Sequence, residues 1–264
     1  MKNIFKFTIY VARNLLRARG RYFRLVPFFK GKVYFYDRMK KSFFSVKVRD
    51  KVDSGTADQI FTNNDYDLSF LKRYDELLER YERICSLNKK PLIIDCGANI
   101  GLSAMHFATT FPKSIVISIE PEPNNFSLMK ENCNGFGNIE FLNKAVGSSD
   151  GYVSINNSDA DNDAFITSRS ESDEGDIEVV SVNSILQRYS ELVPFIIKID
   201  IEGFEDDLFS TNTEWVEKFP LLIIETHDWM LPKQSNSHNF LKVISNQSRD
   251  FIHRGENVFS ISND

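Results

Sequence analysis

The sequence predicts an α/β protein built on a mostly parallel sheet with helices on both faces, and three observations carry that prediction. From Pro91 onward, short apolar runs of strand character alternate with short helical segments, the signature of βαβ units. One of these runs, Leu92–Asp95, passes straight into a glycine-containing turn and then a helical stretch over Leu102–Thr109, the junction at which open α/β sheets bind ligands. The chain also has 264 residues, 42% of them hydrophobic, enough for one large domain or two small ones with a sizeable core.

Composition narrows the class further. A disulfide miniprotein, a disordered chain and a collagen-like polymer are all excluded. The three cysteines, Cys85, Cys96 and Cys133, form no CxxC pair, which fits a reducing compartment and disfavours a structural zinc site. The net charge of −5 conceals an asymmetry, because residues 1–41 carry +11 and the remainder −16. Such a split between a basic arm and an acidic body points to a partner of the arm.

In chain order, Ile4, Phe7, Val11, Leu15, Ala18 and Tyr22 fall on one face of a helix, with Lys2, Lys6, Arg13, Arg17 and Arg24 nearly opposite, and this stripe runs to Pro27. A helix of this kind over residues 1–24 can lie on an anionic membrane surface, or it can simply pack its apolar face on the body. The longest uncharged stretch near the N-terminus, Phe7–Ala12, is far short of the ~20 residues of a membrane span. The expected location is therefore cytoplasmic, with peripheral attachment to the inner face of the membrane through the arm. Twelve aromatics within residues 1–44 offer a nucleic-acid reading by stacking, disfavoured because the acidic body would repel a polyanion. Val33–Tyr36 and Phe43–Val48 read as strands, and Tyr74–Ile84 reads as a helix. The domain division follows the change of pattern: 1–90 as a basic amphipathic helix plus accessory segment, 91–264 as the α/β domain. Within the latter the expected strands are Leu92–Asp95, Ile115–Glu120, Ile139–Leu142, Ile177–Val182, Phe195–Asp200 and Leu221–Glu225. A terminal hairpin of Phe251–His253 and Val258–Ile261 follows, and residues 156–175 read as a long polar loop, either a mobile insertion or a substrate lid.

The chemistry is concentrated at strand ends. In Asp95-Cys96-Gly97-Ala98-Asn99-Ile100-Gly101 the glycines allow close backbone approach, but the GxGxxG spacing of a pyrophosphate site is missing. Glu120 closes the next strand, where a carboxylate can accept both hydroxyls of a ribose. Together the two features favour an adenosyl cofactor without a diphosphate, which points to S-adenosylmethionine. Asp95, Gly97, Asn99, Gly101 and Glu120 are its expected contacts, with Asn143 and Ala145 near the adenine by position in the fold.

The blocks DCGANIG (Asp95–Gly101), IEPEP (Ile119–Pro123), IKIDIEGFE (Ile197–Glu205) and IIETH (Ile223–His227) occur in an order and spacing that resemble the FkbM-type methyltransferases over roughly residues 91–230. The resemblance implies a class I, Rossmann-like methyltransferase domain with a seven-stranded sheet whose last strand is antiparallel. It also implies methyl transfer from S-adenosylmethionine to a hydroxyl of a glycan, lipid-linked sugar or natural-product acceptor, in settings such as polysaccharide synthesis.

The third and fourth blocks have their own physics. Lys198, Asp200 and Glu202 alternate with three isoleucines, and charges in the middle of a parallel sheet are costly unless paired. Either Lys198 pairs with Asp200 structurally while Glu202 opens a helix, or the group overlooks the methionyl end of the cofactor. Glu225 and His227 end the next strand, and histidine is suited to removing a hydroxyl proton. The expected catalytic set is thus His227 as base, Asp200 and Glu225 orienting it or the acceptor, and Lys198 pairing with Asp200. Carboxylates plus imidazole suit Mg or Mn, but the spacing does not establish a shell and no metal ligand is assigned. The rival readings are a noncatalytic binding or scaffold module and a nucleic-acid methyltransferase using the arm.

Overall fold

The computed structural model describes residues 9, 20–155, 167–169, 177–230 and 232–264. The amphipathic reading of residues 1–24 and the polar loop at 156–175 therefore lie largely outside the described residues. Ile9 is helical, and from Tyr22 the arm is extended. Tyr22–Phe29 is strand β1, antiparallel to β2 (Lys32–Asp37), which in turn pairs with β3 (Ser42–Lys47). The helical stripe expected to run to Pro27 thus does not include residues 22–27, which are strand. Tyr22 is buried in aromatic contact with Phe44 and Phe61, and Arg24 is buried against Ser54.

Helix α1 (Lys51–Phe61) follows, capped by Asp50, whose side chain accepts from the Val52 and Asp53 amides. After a short 3₁₀ turn comes α2 (Tyr74–Ser86), the helix expected from the spacing of Leu77, Leu78 and Tyr81. The central sheet is built from β4 (Pro91–Cys96), β5 (Ile115–Ile119), β6 (Ile139–Leu142), β11 (Val193–Ile199), β12 (Leu221–Glu225), β13 (Arg249–Arg254) and β14 (Asn257–Ser262). Its order is β13-β14-β12-β11-β4-β5-β6, and only β14 runs antiparallel to its neighbours. This is the seven-stranded class I methyltransferase sheet. All six residues of β4 are buried, as expected of a strand covered on both faces.

One drawn strand belongs elsewhere. β10 (Ile177–Ser181) joins a separate four-stranded sheet with β7 (Ala145–Gly147), β8 (Gly151–Ile155) and β9 (Thr167–Arg169). Its residues pair with β7 on one side and β8 on the other, and Ser181 then caps α5 (Val182–Arg188). The other helices are α3 (Leu102–Thr110), α4 (Pro123–Asn132), α6 (Glu205–Leu208) and α7 (His238–Ile244).

The change of pattern at residue 90 does not separate two cores. Phe35, Phe61 and Leu77 lie in one buried cluster with Ile93, Phe107 and Phe195 of the central unit. A second buried cluster on the sheet's other face includes Ile94, Ile197, Trp215 and Phe240. The accessory segment is therefore packed as part of the sheet's own core, and α1 covers one side of the sheet's functional edge.

Candidate active site

The strand order reverses between β4 and β11, and the carboxyl ends of these two strands open the crevice typical of α/β sheets. The parallel register sets Asp95 beside Lys198 and Lys198 beside Ile223. Lys198 is buried, with Nζ 3.2 Å from Asp95 Oδ1, 3.3 Å from Asp200 Oδ2 and donating to the Gly97 carbonyl at 2.6 Å. Burial opposes charge on the lysine, but the two carboxylates outweigh it and hold its pKa well above the usual value. Ser103 on α3 donates to Asp95 Oδ2 at 2.6 Å, so Asp95 ties the turn, the helix and β11 together.

The glycines of the turn serve the protein's own packing. A side chain at Gly97 would stand 1.7 Å from the Asp200 carbonyl oxygen, and Gly97 has φ +75°. One at Gly101, φ +87°, would meet Met129 and Cys133 at 2.8 Å. Their bareness thus lets β4 close against β11 and lets α3 start beneath α4. The Gly97 and Ala98 amides both donate to the Ile119 carbonyl.

Asn99 has φ +47° and its amide donates to Glu120 Oε2 at 2.8 Å. Glu120 Oε1 accepts from the Glu122 amide at 3.0 Å and from Asn125 Nδ2 at 3.4 Å, which leaves the free lone pair on Oε2. Burial pushes the Glu120 carboxyl up to about 7, partly offset by these amides. Asn99 Oδ1 is buried and has no hydrogen-bond partner among the described residues. Asn143 is exposed and donates to the Glu120 and Pro121 carbonyls, bridging the ends of β5 and β6. Ala145 sits in the small core of Val153, Ile177, Val179 and Phe204, against which Ile201 packs.

A cleft opens between the strand ends and α1. Gly97, Asn99, Lys198, Asp200 and Glu225 line it from the sheet. Thr56, Gln59 and Tyr66 line it from the accessory segment, and Asp65 and Glu256 add two further carboxylates. Burial pushes Asp65 up to about 6. The wall built by residues 56–66 was not legible in the sequence, because no motif marks that stretch.

His227 lies two residues beyond the end of β12, buried at 1% exposure. Its Nδ1 is 2.7 Å from Glu205 Oε1, and Glu205 is itself fully buried and held by Asn236. Nε2 faces three carboxylate oxygens, Asp200 Oδ1 at 3.6 Å, Glu202 Oε2 at 3.5 Å and Glu225 Oε1 at 3.6 Å. Burial alone would lower the histidine pKa, yet Glu205, Asp200 and Glu202 raise it to about 9. Burial, reinforced by Asp200, lifts Glu202 to about 8 and Glu225 to about 7. The four residues of the expected catalytic set, Lys198, Asp200, Glu225 and His227, are therefore brought together. Glu205 and Asn236 join them unannounced. Glu205 lies within the IKIDIEGFE block, but its contact with His227 depends on the turn at Glu202 and Gly203, both in the left-handed region.

A family model described as "Methyltransferase FkbM domain" matches residues 95–252. The chain belongs to the FkbM methyltransferase family. Among curated proteins, the hexuronic acid methyltransferase AglP of Haloferax volcanii is 28% identical over 142 residues. That match covers 53% of this chain and 57% of AglP, so the chain spans little more than half the length of that relative. Of solved structures, a putative caffeoyl-CoA O-methyltransferase from Staphylococcus aureus aligns with TM-score 0.40 at 12% identity, covering 81% of this chain and all of that one. TrmK of M. capricolum, solved with S-adenosylhomocysteine, aligns with TM-score 0.34 at 11% identity, covering 69% and 66% of the two chains. At these TM-scores the likenesses add nothing to the family assignment.

FkbM membership implies S-adenosylmethionine as methyl donor, and the crevice suits it chemically. The carboxylates of Asp65, Glu225 and Glu256 in the cleft wall complement a sulfonium and an ammonium, and the unmatched Asn99 Oδ1 is an acceptor awaiting a donor. No helix among the described residues is long and apolar enough to cross a membrane.

Proposed function

We propose that this FkbM methyltransferase transfers a methyl group to a hydroxyl oxygen of a glycan, lipid-linked sugar or natural-product acceptor. The observation that carries the proposal is the imidazole–carboxylate cluster of His227, Asp200 and Glu225 beside the cleft. A hydroxyl must lose its proton as it becomes methylated, and a positioned acid–base group contributes to that step. AglP, named for a hexuronic acid, supports a sugar acceptor.

S-adenosylmethionine, when bound, supplies an electrophilic methyl on a sulfonium; the rest is done by this chain's side chains. Asn99 and Glu120 hold the ribose, with Asn143 fixing the neighbouring strand ends. Lys198 locks Asp95 and Asp200 so that the cleft wall keeps its shape. Glu205 fixes the His227 ring, with Nε2 turned to Asp200, Glu202 and Glu225. Alignment of the two reacting groups is the larger part of the rate gain in such a displacement. The basic arm of residues 1–19 keeps the enzyme at an anionic membrane surface, near a lipid-linked acceptor.

The test is transfer of labelled methyl from S-adenosylmethionine to uronic-acid-containing oligosaccharides, followed by mild alkali. An ether label survives alkali and supports hydroxyl methylation. A label released by alkali marks a carboxyl ester and overturns it.

A further inference from the structure

Within the site assigned above, five carboxylates crowd one lysine and one imidazole: Asp95, Asp200, Glu202, Glu205 and Glu225 against Lys198 and His227. Asp95 and Glu205 are fully buried and the rest are at most partly exposed. Buried negative charge in such excess costs several kcal/mol per ion unless a cation answers it. Lys198 answers Asp95 and one oxygen of Asp200. The other Asp200 oxygen, Glu202 and Glu225 converge on His227 Nε2.

The histidine supplies an independent observation. Its Nδ1 faces the buried Glu205 carboxylate, which can only accept, so Nδ1 carries the proton. Nε2 presents a lone pair once a bound cation takes the place of its proton. That nitrogen, on a side chain 1% exposed, makes no hydrogen bond among the described residues and is aimed into three oxygens 3.5–3.6 Å away. One oxygen each of Asp200, Glu202 and Glu225 thus lies 3.5–3.6 Å from a single imidazole nitrogen. A carboxylate orienting the far nitrogen of a histidine in this way is the usual support behind a metal-bound imidazole.

The spacing fits an ion. Ligands held at roughly 2.0–2.2 Å from a metal stand about 3.0–3.5 Å from each other. One ligand atom each from Asp200, Glu202 and His227 lies within 4.8 Å of the others, and Glu225 stands at the same distance from Nε2 as Asp200. Glu202 reaches the cluster from a left-handed backbone, φ +52°, that a non-glycine residue adopts at a cost.

We propose that Asp200, Glu202 and His227, with Glu225 alongside, bind a divalent cation of the Mg or Mn type. Such an ion takes oxygen ligands and imidazole and keeps open positions. Those positions face the cleft, and they suit an acceptor with two adjacent oxygens, a vicinal diol or a hydroxyl beside a carboxylate. The inference rests on the methyl-transfer reading of this site, extending it to the acceptor's chemistry.

The experiment is titration of the full chain with Mn²⁺, read by loss of the free-ion electron paramagnetic resonance signal, without S-adenosylmethionine. Wild type is expected to bind one ion. Glu202→Gln and Asp200→Asn are expected to weaken binding at least tenfold while the distant, exposed Glu131→Gln does not, with thermal melting confirming that each variant is folded. Should Asp200→Asn fail to fold, the isosteric Glu202→Gln alone decides. No Mn²⁺ bound at millimolar ion, or binding unmoved by Glu202→Gln, overturns the cation site. Calorimetry with S-adenosylmethionine in EDTA separates the two claims. Cofactor binding and turnover that persist in EDTA overturn the cation alone, whereas absent cofactor binding with Mn²⁺ present overturns the methyl-transfer reading.

Discussion

Replacing Gly97 with alanine tests what the glycine turn is for. The new Cβ would stand 1.7 Å from the Asp200 carbonyl oxygen and 2.8 Å from its carbon, on a backbone at φ +75°. Because the obstacle is backbone, no side-chain rotation relieves it, and the carboxyl ends of β4 and β11 must part. Two costs follow, about 1–2 kcal/mol for a side chain in the left-handed region and about 1–3 kcal/mol for overpacking. Together they amount to about 2–5 kcal/mol, a fall in Tm of about 4–20 °C for a chain of this size. The opening also pulls the Gly97 carbonyl from Lys198, 2.6 Å away, so affinity for S-adenosylmethionine should fall about tenfold or more, equivalent to 1.4 kcal/mol. Thermal melting and calorimetry read the two effects. Gly135→Ala supplies the control, since Gly135 has φ +103° but nothing within 4 Å of a would-be Cβ. It should show the conformational cost alone and retain cofactor affinity. A Gly97→Ala protein that melts with Gly135→Ala and binds the cofactor normally would refute the packing role given to Gly97.

Other consequences concern separate parts of the site. Glu120, pushed up to about 7 by burial, is largely protonated at pH 6 and ionised at pH 8, and its ionised form is the better acceptor for the Asn99 amide and for ribose hydroxyls. Cofactor affinity should therefore rise from pH 6 to pH 8, and Glu120→Gln should flatten that profile in calorimetry; an unchanged slope would remove Glu120 from the contact. His227→Ala should cut turnover by about 100-fold or more while shifting cofactor affinity little, as measured by initial rates beside binding; normal turnover would remove His227 from the mechanism. Deleting residues 1–19 should release the protein from phosphatidylglycerol vesicles in a sedimentation assay with cofactor binding intact. The cut must stop there, because Tyr22 and Arg24 belong to β1 and the core.

The sequence made the central sheet legible because its parallel strands are nearly continuous apolar runs. β4, β5, β6, β11 and β12 fall within two residues of where those runs predict. The arm misled at Tyr22, whose spacing continues a helical stripe although its ring is needed in a strand packed on Phe61. The bounds of β10 follow from its apolar run but its sheet does not, since nothing local states which neighbour a strand will choose. Asp95, Lys198, Asp200 and His227 could be placed together because each ends or follows a strand of one parallel sheet. Glu205 could not, because its meeting with His227 depends on two consecutive left-handed residues, Glu202 and Gly203. The role of the glycines was likewise hidden. Motif spacing shows that a Cβ is absent, but only packing shows that Asp200, Met129 and Cys133 fill the place.

The central claim, that this crevice is an adenosyl methyl-donor site, is tested most directly by calorimetric titration with S-adenosylmethionine, S-adenosylhomocysteine and NAD in the presence of EDTA. The account predicts that both adenosyl compounds bind and that NAD does not, the turn lacking a pyrophosphate cradle. Failure of both adenosyl compounds to bind, or equal binding of NAD, would contradict it.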